Sequence, residues 1–568
     1  MKRAACRCPL EIDLPARPAG GLNPVTMTRH ANARRGRCGR GWNWLAWLVA
    51  GGWLALGLLG GGRALAAGTP PPKPISYDDD DDTAAAPKMS PGEAAARRAC
   101  SICHVYPDPS MLDRKHWQEQ ILPRMSVQLG VARPDYGSSP EGELIRERKI
   151  YPEQPRIPVE DWPLIEEFYL ANAPEKPLPQ IPHAPIKLGL KYFEMEPPHF
   201  RLNPPTTTMV RISTNTHRLF VGDDHSKSLY ILDAKGYPQQ TIPLGNVPAD
   251  LVETPEGIWV TCVGSFPPTE HYIAALLFLP RQGDTYGPPK TVLKDLPRST
   301  QAVFADFNGD GKTDFALCMF GNLTGRFSWF ENLGNGQYRE HVLSTKAGAI
   351  HAAVSDFNGD GKPDIAMLMA QETEMMTVLL NDGKGNFTAH SLWQKPAPWG
   401  HNTFQLVDFN QDGKMDFLVV NGDNGEFDSP LKYYHGIRLY ENEGDLQFKE
   451  TFFYPLNGAY GVAARDFTGT GRLDIAAISF FPDYVANPRE SFVYLENEGN
   501  LKFKVTTFPQ CISGRWIVMD AGDLDGDGKP DIVLGSYIFG PTAAPQFLVN
   551  IWKTQGPSVL ILHNISPR

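Results

Sequence analysis

Asp306-Phe307-Asn308-Gly309-Asp310-Gly311-Lys312-Thr313-Asp314 is one copy of a nine-residue string that returns over 356–364, 408–416, 466–474 and 523–531. Positions 1, 3, 5 and 9 offer side-chain oxygens and position 7 offers a backbone carbonyl. The Gly at position 6 permits the sharp turn that lets them converge. In the first copy the ligand positions are Asp306, Asn308, Asp310, Lys312 (through its carbonyl) and Asp314. The second has Asp356, Asn358, Asp360, Lys362 and Asp364, and the third Asp408, Asn410, Asp412, Lys414 and Asp416. The fifth has Asp523, Asp525, Asp527, Lys529 and Asp531. An all-oxygen set of this kind is a hard-cation cage, and calcium suits it best. The fourth copy keeps Asp466 and Asp474 but places Thr468 and Thr470 between them, so it is expected to bind weakly. About four calcium sites are therefore expected.

An EF-hand would put a Glu at position 12, yet the first copy has Leu317 there. The flanks, 301–305 and 315–319, are short apolar runs of strand composition. Each string thus joins two strands, and the copies begin 50, 52, 58 and 57 residues apart. Strands and turns at such a period make the blade of a β-propeller. Looser copies at 210–222 and 248–262 keep the strand pair and lose the acids, which gives seven blades over 188–568. The stretch 559–564 reads as a third strand of the last blade, and 190–195 as the fourth that closes the ring. The strings and their flanks resemble the FG-GAP or VCBS repeats of integrin-type propellers, and that resemblance implies the same all-β ring with calcium in its loops.

Ahead of the ring, Cys100, Ser101, Ile102, Cys103 and His104 spell C-x-x-C-H. Two thiols three positions apart can form thioethers to both vinyl groups of one haem, while the adjacent imidazole takes an axial iron position. A zinc site would need two further ligands, and no other Cys lies between Cys103 and Cys262. Ser90, Pro91 and Glu93 make a helix start, with Ser as N-cap and Glu reaching back to it. Trp117, Ile121 and Met125 place one apolar face on a second helix, which Pro123 should kink. A third helix over 159–173 carries Trp162, Ile165, Phe168 and Tyr169. Met125 is the expected sixth iron ligand; His116 competes, while Met111 is close in sequence to the motif and Met89 precedes it. The segment 90–176 resembles a bacterial mono-haem cytochrome c domain, which implies one covalent haem c and electron transfer.

The amino terminus reads as an export signal over 1–67, with the true start possible at Met27. Arg29, Arg34, Arg35, Arg37 and Arg40 precede the apolar run 42–62, followed by the small-x-small pattern Ala64-Leu65-Ala66. The run is long enough to stay as a membrane anchor. Either way the rest of the chain is placed in the periplasm or outside the cell. Residues 68–89, with five consecutive aspartates at 78–82, read as a disordered linker. The fold class is therefore multidomain: a small all-α cytochrome c domain, then a seven-bladed all-β propeller. The net charge of −10 reports the loop and linker aspartates and argues against a nucleic-acid partner. With 42% hydrophobic residues the chain has ample material for a folded core.

His351, His401, Tyr460, Arg515 and Trp516 precede their loops by five to eight residues, where the innermost strands begin, and could line one face of the central channel. No nucleophile elbow, Ser-His-Asp order or phosphate loop is present, and no catalytic residue is assigned. Two functions stay open. One is an exported electron-transfer protein whose propeller docks a redox partner or a surface ligand. The other makes the propeller active, as an adhesion or carbohydrate-binding module or as an oxidoreductase passing electrons to its own haem.

Overall fold

The computed structural model describes residues 89–567, apart from 138, 372 and 426–428. The export segment and all of the linker but its last residue lie outside the described residues. Seven antiparallel units follow one another over 207–243, 248–296, 299–344, 349–395, 401–455, 459–507 and 516–564, each built on four strands once the last has taken Phe193–Met195. Their first strands pack side by side around an axis, and the last, Trp516–Gly522, meets the first, Thr207–Ser213. The ring is a closed seven-bladed propeller.

Closure follows the expected route. Phe193–Met195 pairs antiparallel with Val559–Asn564 and supplies the outer strand of blade 7. Just before it, Lys187–Leu188 pairs in parallel with Lys502–Thr507 on blade 6, so the segment entering the ring ties two blades together. The two looser copies are real blades, with Thr207–Ser213 paired to Arg218–Asp223 and Pro248–Thr254 to Gly257–Cys262.

Second strands are covered by neighbouring blades on both faces, so Asp314–Met319, Asp364–Met369 and Asp416–Asn421 are buried at every position. This explains why they read as continuous apolar runs without alternation. Between blades 3 and 4, for example, Phe307, Phe327, Trp329, Ile365 and Met367 form one cluster. Cys262, Cys318 and Cys511 are buried, free thiols within such clusters.

The segment before the ring is helical. Pro91–Cys100 starts on the Ser90 cap, whose hydroxyl accepts from the Glu93 amide at 3.1 Å. The Glu93 carboxylate does not reach back; it pairs with Arg97 one turn on, at 3.0 Å. Gly92 is needed where this helix crosses Asp161–Asn172, because a Cβ there would lie 2.6 Å from the Leu164 carbonyl. Pro123 does not simply kink its helix. The turn Trp117–Ile121 is wound as a π-helix and runs directly into Leu122–Gln128, a device that absorbs irregular backbone pairing. Trp117, Ile121, Trp162, Ile165 and Tyr169 form the core with Ala95, Ala96 and Ala99, and Met125 packs against it half-buried.

An additional helix, Pro140–Glu147, carries this segment onto the ring. Glu141 accepts from the Thr269 hydroxyl at 2.8 Å and from the Glu270 amide. Arg148 donates to the Glu270 carbonyl at 2.7 Å and stacks over Tyr272 at 4.1 Å. Val105 forms a parallel β-bridge with Pro396, and Met111 is buried against Trp399 and Tyr434. All these propeller residues belong to the end where the first strands begin, the upper face, opposite the nine-residue loops. The helical segment is thus seated on the ring and is not a freely tethered domain.

Candidate functional site

The C-x-x-C-H segment ends the first helix on a loose turn, with the His104 and Cys103 amides reaching the Cys100 carbonyl at 3.4 Å. Both thiols are free and partly exposed. Cys100 Sγ lies 3.7 Å from the Tyr169 hydroxyl, and burial raises its thiol pKa. Cys103 Sγ lies 3.6 Å from an Arg156 guanidinium nitrogen. His104 Nδ1 is 2.9 Å from the Val105 carbonyl. A carbonyl can only accept, so Nδ1 is the donating nitrogen and Nε2 is the one left for a ligand. His104 and Cys103 line an open pocket of about 550 Å³. The residues therefore fit a covalent haem.

Of the candidate sixth ligands, Met111 is committed to the propeller contact and Met89 is exposed. Met125 shares its cluster with Cys100 and Tyr106. His116, the competing ligand, is buried. Its Nδ1 lies 2.6 Å from the Asp113 carboxylate, and its buried Nε2 has no hydrogen-bond partner. A carboxylate on one imidazole nitrogen and an orphan on the other is how metal-ligating histidines are held.

On the upper face of the ring, His401 Nδ1 lies 2.9 Å from Glu374, both nearly inaccessible. Burial pushes Glu374 up and His401 down, the direction in which a buried pair sheds charge. Arg515 stacks on Phe480 at 4.2 Å, and Tyr460 packs against the same ring at 5.4 Å. Asn402 donates to the Tyr460 carbonyl, linking this cluster to the strand that His401 starts. His351 makes an edge contact with Phe404 at 4.8 Å; burial and Arg211 lower its pKa to about 4. Trp516 is not at the channel. It is fully buried with Phe492, Cys511 and Ile532, and its indole donates to the Cys511 carbonyl at 2.6 Å. The axial cavity itself, about 420 Å³, is lined in part by Arg211, Asp250 and Gln301, with Arg211 and Asp250 paired at 2.6 Å. Sequence reading had not singled out Arg211 and Asp250, whose blades lack the acid string, and had placed Gln301 only at the start of a flanking strand.

At the opposite face the loops share one geometry. Asp306 accepts from the Gly309 and Gly311 amides at 2.8 Å, and Gly311 takes φ +81°. Asp310 is held by the Lys312 ammonium at 2.7 Å, which lowers its pKa. Asp314 is fully buried and accepts from Phe307 and Asn332 amides at 3.1 and 2.7 Å, and burial raises it. The FG-GAP-like repeat family matches residues 306–367 and again 356–419. The chain carries FG-GAP-like repeats. No curated protein matches it. Among solved structures, the Myceliophteria thermophila Cps50 (Swd1) β-propeller domain is 10% identical over 65% of this chain and 100% of its own, with a TM-score of 0.40. Saccharomyces cerevisiae Sqt1 is 9% identical over 65% of this chain and 98% of its own, with a TM-score of 0.39.

The FG-GAP loops differ in charge and not in backbone. In the fourth, Asp466 still accepts from Thr470 and Gly471 amides at 2.9 Å, while Thr468 and Thr470 bond each other at 3.1 Å. In the fifth, Asp523, Asp525 and Asp527 bring carboxylate oxygens within 4.8 Å of one another, and Asp525 and Asp531 bring oxygens equally close to an imidazole nitrogen of His563. This donor set fits a hard cation. His563, raised by Asp531, was not anticipated. Nor was the Asn of the third strand, whose amide meets the position-9 carboxylate in all five loops, through Asn332, Asn381, Asn442, Asn497 and Asn564. Its signal was legible as an Asn two residues before a Gly in the first four of these blades.

Proposed function

We propose that the chain is an exported c-type cytochrome in which Cys100 and Cys103 anchor one haem, His104 binds its iron, and a calcium-clamped propeller carries the helical segment. When bound, haem c supplies one-electron redox chemistry. The residues of the chain do the rest. The Val105 carbonyl orients His104, Tyr169 fixes the Cys100 side of the turn, and Met125 or His116 would supply a second ligand to the iron. The observation that carries this reading is His104, held through Nδ1 by the Val105 carbonyl beside an open pocket, at the end of a helix that presents both thiols. The FG-GAP loops are clamps: aspartates crowded at positions 1, 5 and 9 repel until a cation is shared.

The test is acid–acetone extraction of protein made in cells with cytochrome c maturation machinery. Thioether-bound haem stays with the polypeptide, and complete release contradicts the assignment. A second reading, an oxidoreductase that passes electrons from a propeller-bound substrate to the haem, is favoured by one feature. The pocket beside His104 includes Thr373, the residue before the buried Glu374–His401 pair. Reduction of the haem by a candidate donor, followed at its α-band, distinguishes an enzyme from a carrier.

A further inference from the structure

The pocket beside the C-x-x-C-H turn has two kinds of wall. Cys103, His104 and Tyr106 form one, and Lys346, Thr373 and Gln394 of the propeller form the other. Lys346 lies in the connection between blades 3 and 4, Thr373 on the upper loop of blade 4, and Gln394 near the end of that blade's outer strand. The two walls are pinned together one residue past His104, where Val105 bridges Pro396. Thr373 is 2% exposed, and its buried hydroxyl has no hydrogen-bond partner. Leaving such a group unpaired is costly, and a polar atom in the pocket would satisfy it. Lys346 is exposed at the rim and forms no ion pair among the described residues. Its charge is therefore available to an anion in the pocket.

We propose that the propeller forms part of the haem pocket, with Lys346 facing the anionic carboxylate edge of the porphyrin and Thr373 and Gln394 supplying polar contacts beside it. The inference rests on the cytochrome reading and extends it: the redox centre is completed by blade 4, and its potential is set partly by the ring. A cation next to the haem favours the reduced state, which carries one positive charge fewer, so losing it lowers the potential.

The experiment is a spectroelectrochemical titration of the full-length, haem-loaded protein. Lys346→Gln should shift the reduced-to-oxidised ratio at fixed potential about threefold toward oxidised, roughly 30 mV for a one-electron couple. Lys346→Glu should shift it further in the same direction. Lys235→Gln, an exposed lysine on the loop face, is the control and should leave it unchanged. The pocket wall is overturned if both Lys346 variants titrate like the wild type, or if Lys235→Gln moves the potential as much. A wild-type chain that carries no covalent haem contradicts the cytochrome reading itself, so the two failures are distinguishable. Because Lys346 is a solvent-exposed loop residue, its substitution should leave the melting temperature where it was.

Discussion

The two faces of this propeller are built from the same strands and obey different rules. On the loop face, five turns repeat one hydrogen-bond pattern, and even the loop that has lost its middle acids keeps the backbone of the others. On the upper face one backbone bond recurs, as from Ala370 to Gly348, Gly422 to Gly400 and Phe480 to Gly458, but the side chains that the connections present differ from blade to blade. One buries Glu374 against His401, another stacks Arg515 on Phe480, and others receive Arg148, Glu141 and the strand-like residue after His104. Repetition marks what holds the ring, and departure from it marks where this chain does something particular. The turn geometry comes from the position-1 Asp accepting backbone amides, whereas the proposed clamp depends on the acid at position 5. Those two roles separate cleanly in the fourth loop.

That division can be broken experimentally. The largest effect belongs to the upper face: Met125→Ala should abolish a sulfur-to-iron charge-transfer band in the oxidised near-infrared spectrum and lower the potential. If the band is absent from the wild type and His116→Ala changes the Soret spectrum instead, His116 is the ligand. On the loop face, removing calcium with EGTA should lower the melting temperature and leave the haem spectrum of the still-folded protein unchanged. Each occupied loop contributes about 2.7 kcal/mol when free calcium is a hundredfold above its Kd. An unmoved transition after bound metal is shown to leave would refute the clamp.

A pH effect tests the channel between the faces. His351 titrates near 6.5 when unfolded and at about 4 in the ring, because burial and Arg211 oppose its charge. The unfolded chain therefore binds the extra proton between those values, and stability falls as pH drops from 6.5 to 4, by at most about 3 kcal/mol. His351→Gln should remove that part of the slope in denaturant titrations, and an identical slope would mean the imidazole is solvated. Smallest is the contrast within one face: Asp310→Ala should cost a single loop's share of the calcium stabilisation, while Thr470→Ala should cost almost none. Equal losses would show that the acids matter for the turn and not for a cation.

The same contrast explains what could be read from the chain alone. The blades, their number and the strand that closes the ring were legible because period and turn chemistry repeat, down to 559–564 meeting 193–195. Arg515 and Trp516 were placed together as channel residues, yet neighbours on a strand point to opposite sides, so one reached the upper face and the other the core. The seat of the helical segment was missed because it depends on Glu141 and Arg148, charged residues that look like ordinary solvated positions. Ser139-Pro140-Glu141 does repeat the start signal of Ser90-Pro91. Nothing local, however, says that a helix there meets Glu270, which is far off in sequence and fully buried. His116 competed only weakly with Met125 because most lone histidines beside a Trp are surface residues; its carboxylate partner, three residues earlier and buried beside it, is what distinguishes it.

The most direct test of the whole account is the intact mass of the full-length protein after expression with maturation machinery, alongside a Cys100→Ala/Cys103→Ala variant. The account predicts one haem per chain in the first, retained under denaturing conditions, and none in the second. A wild-type mass equal to the bare polypeptide, with both thiols open to alkylation, would contradict it.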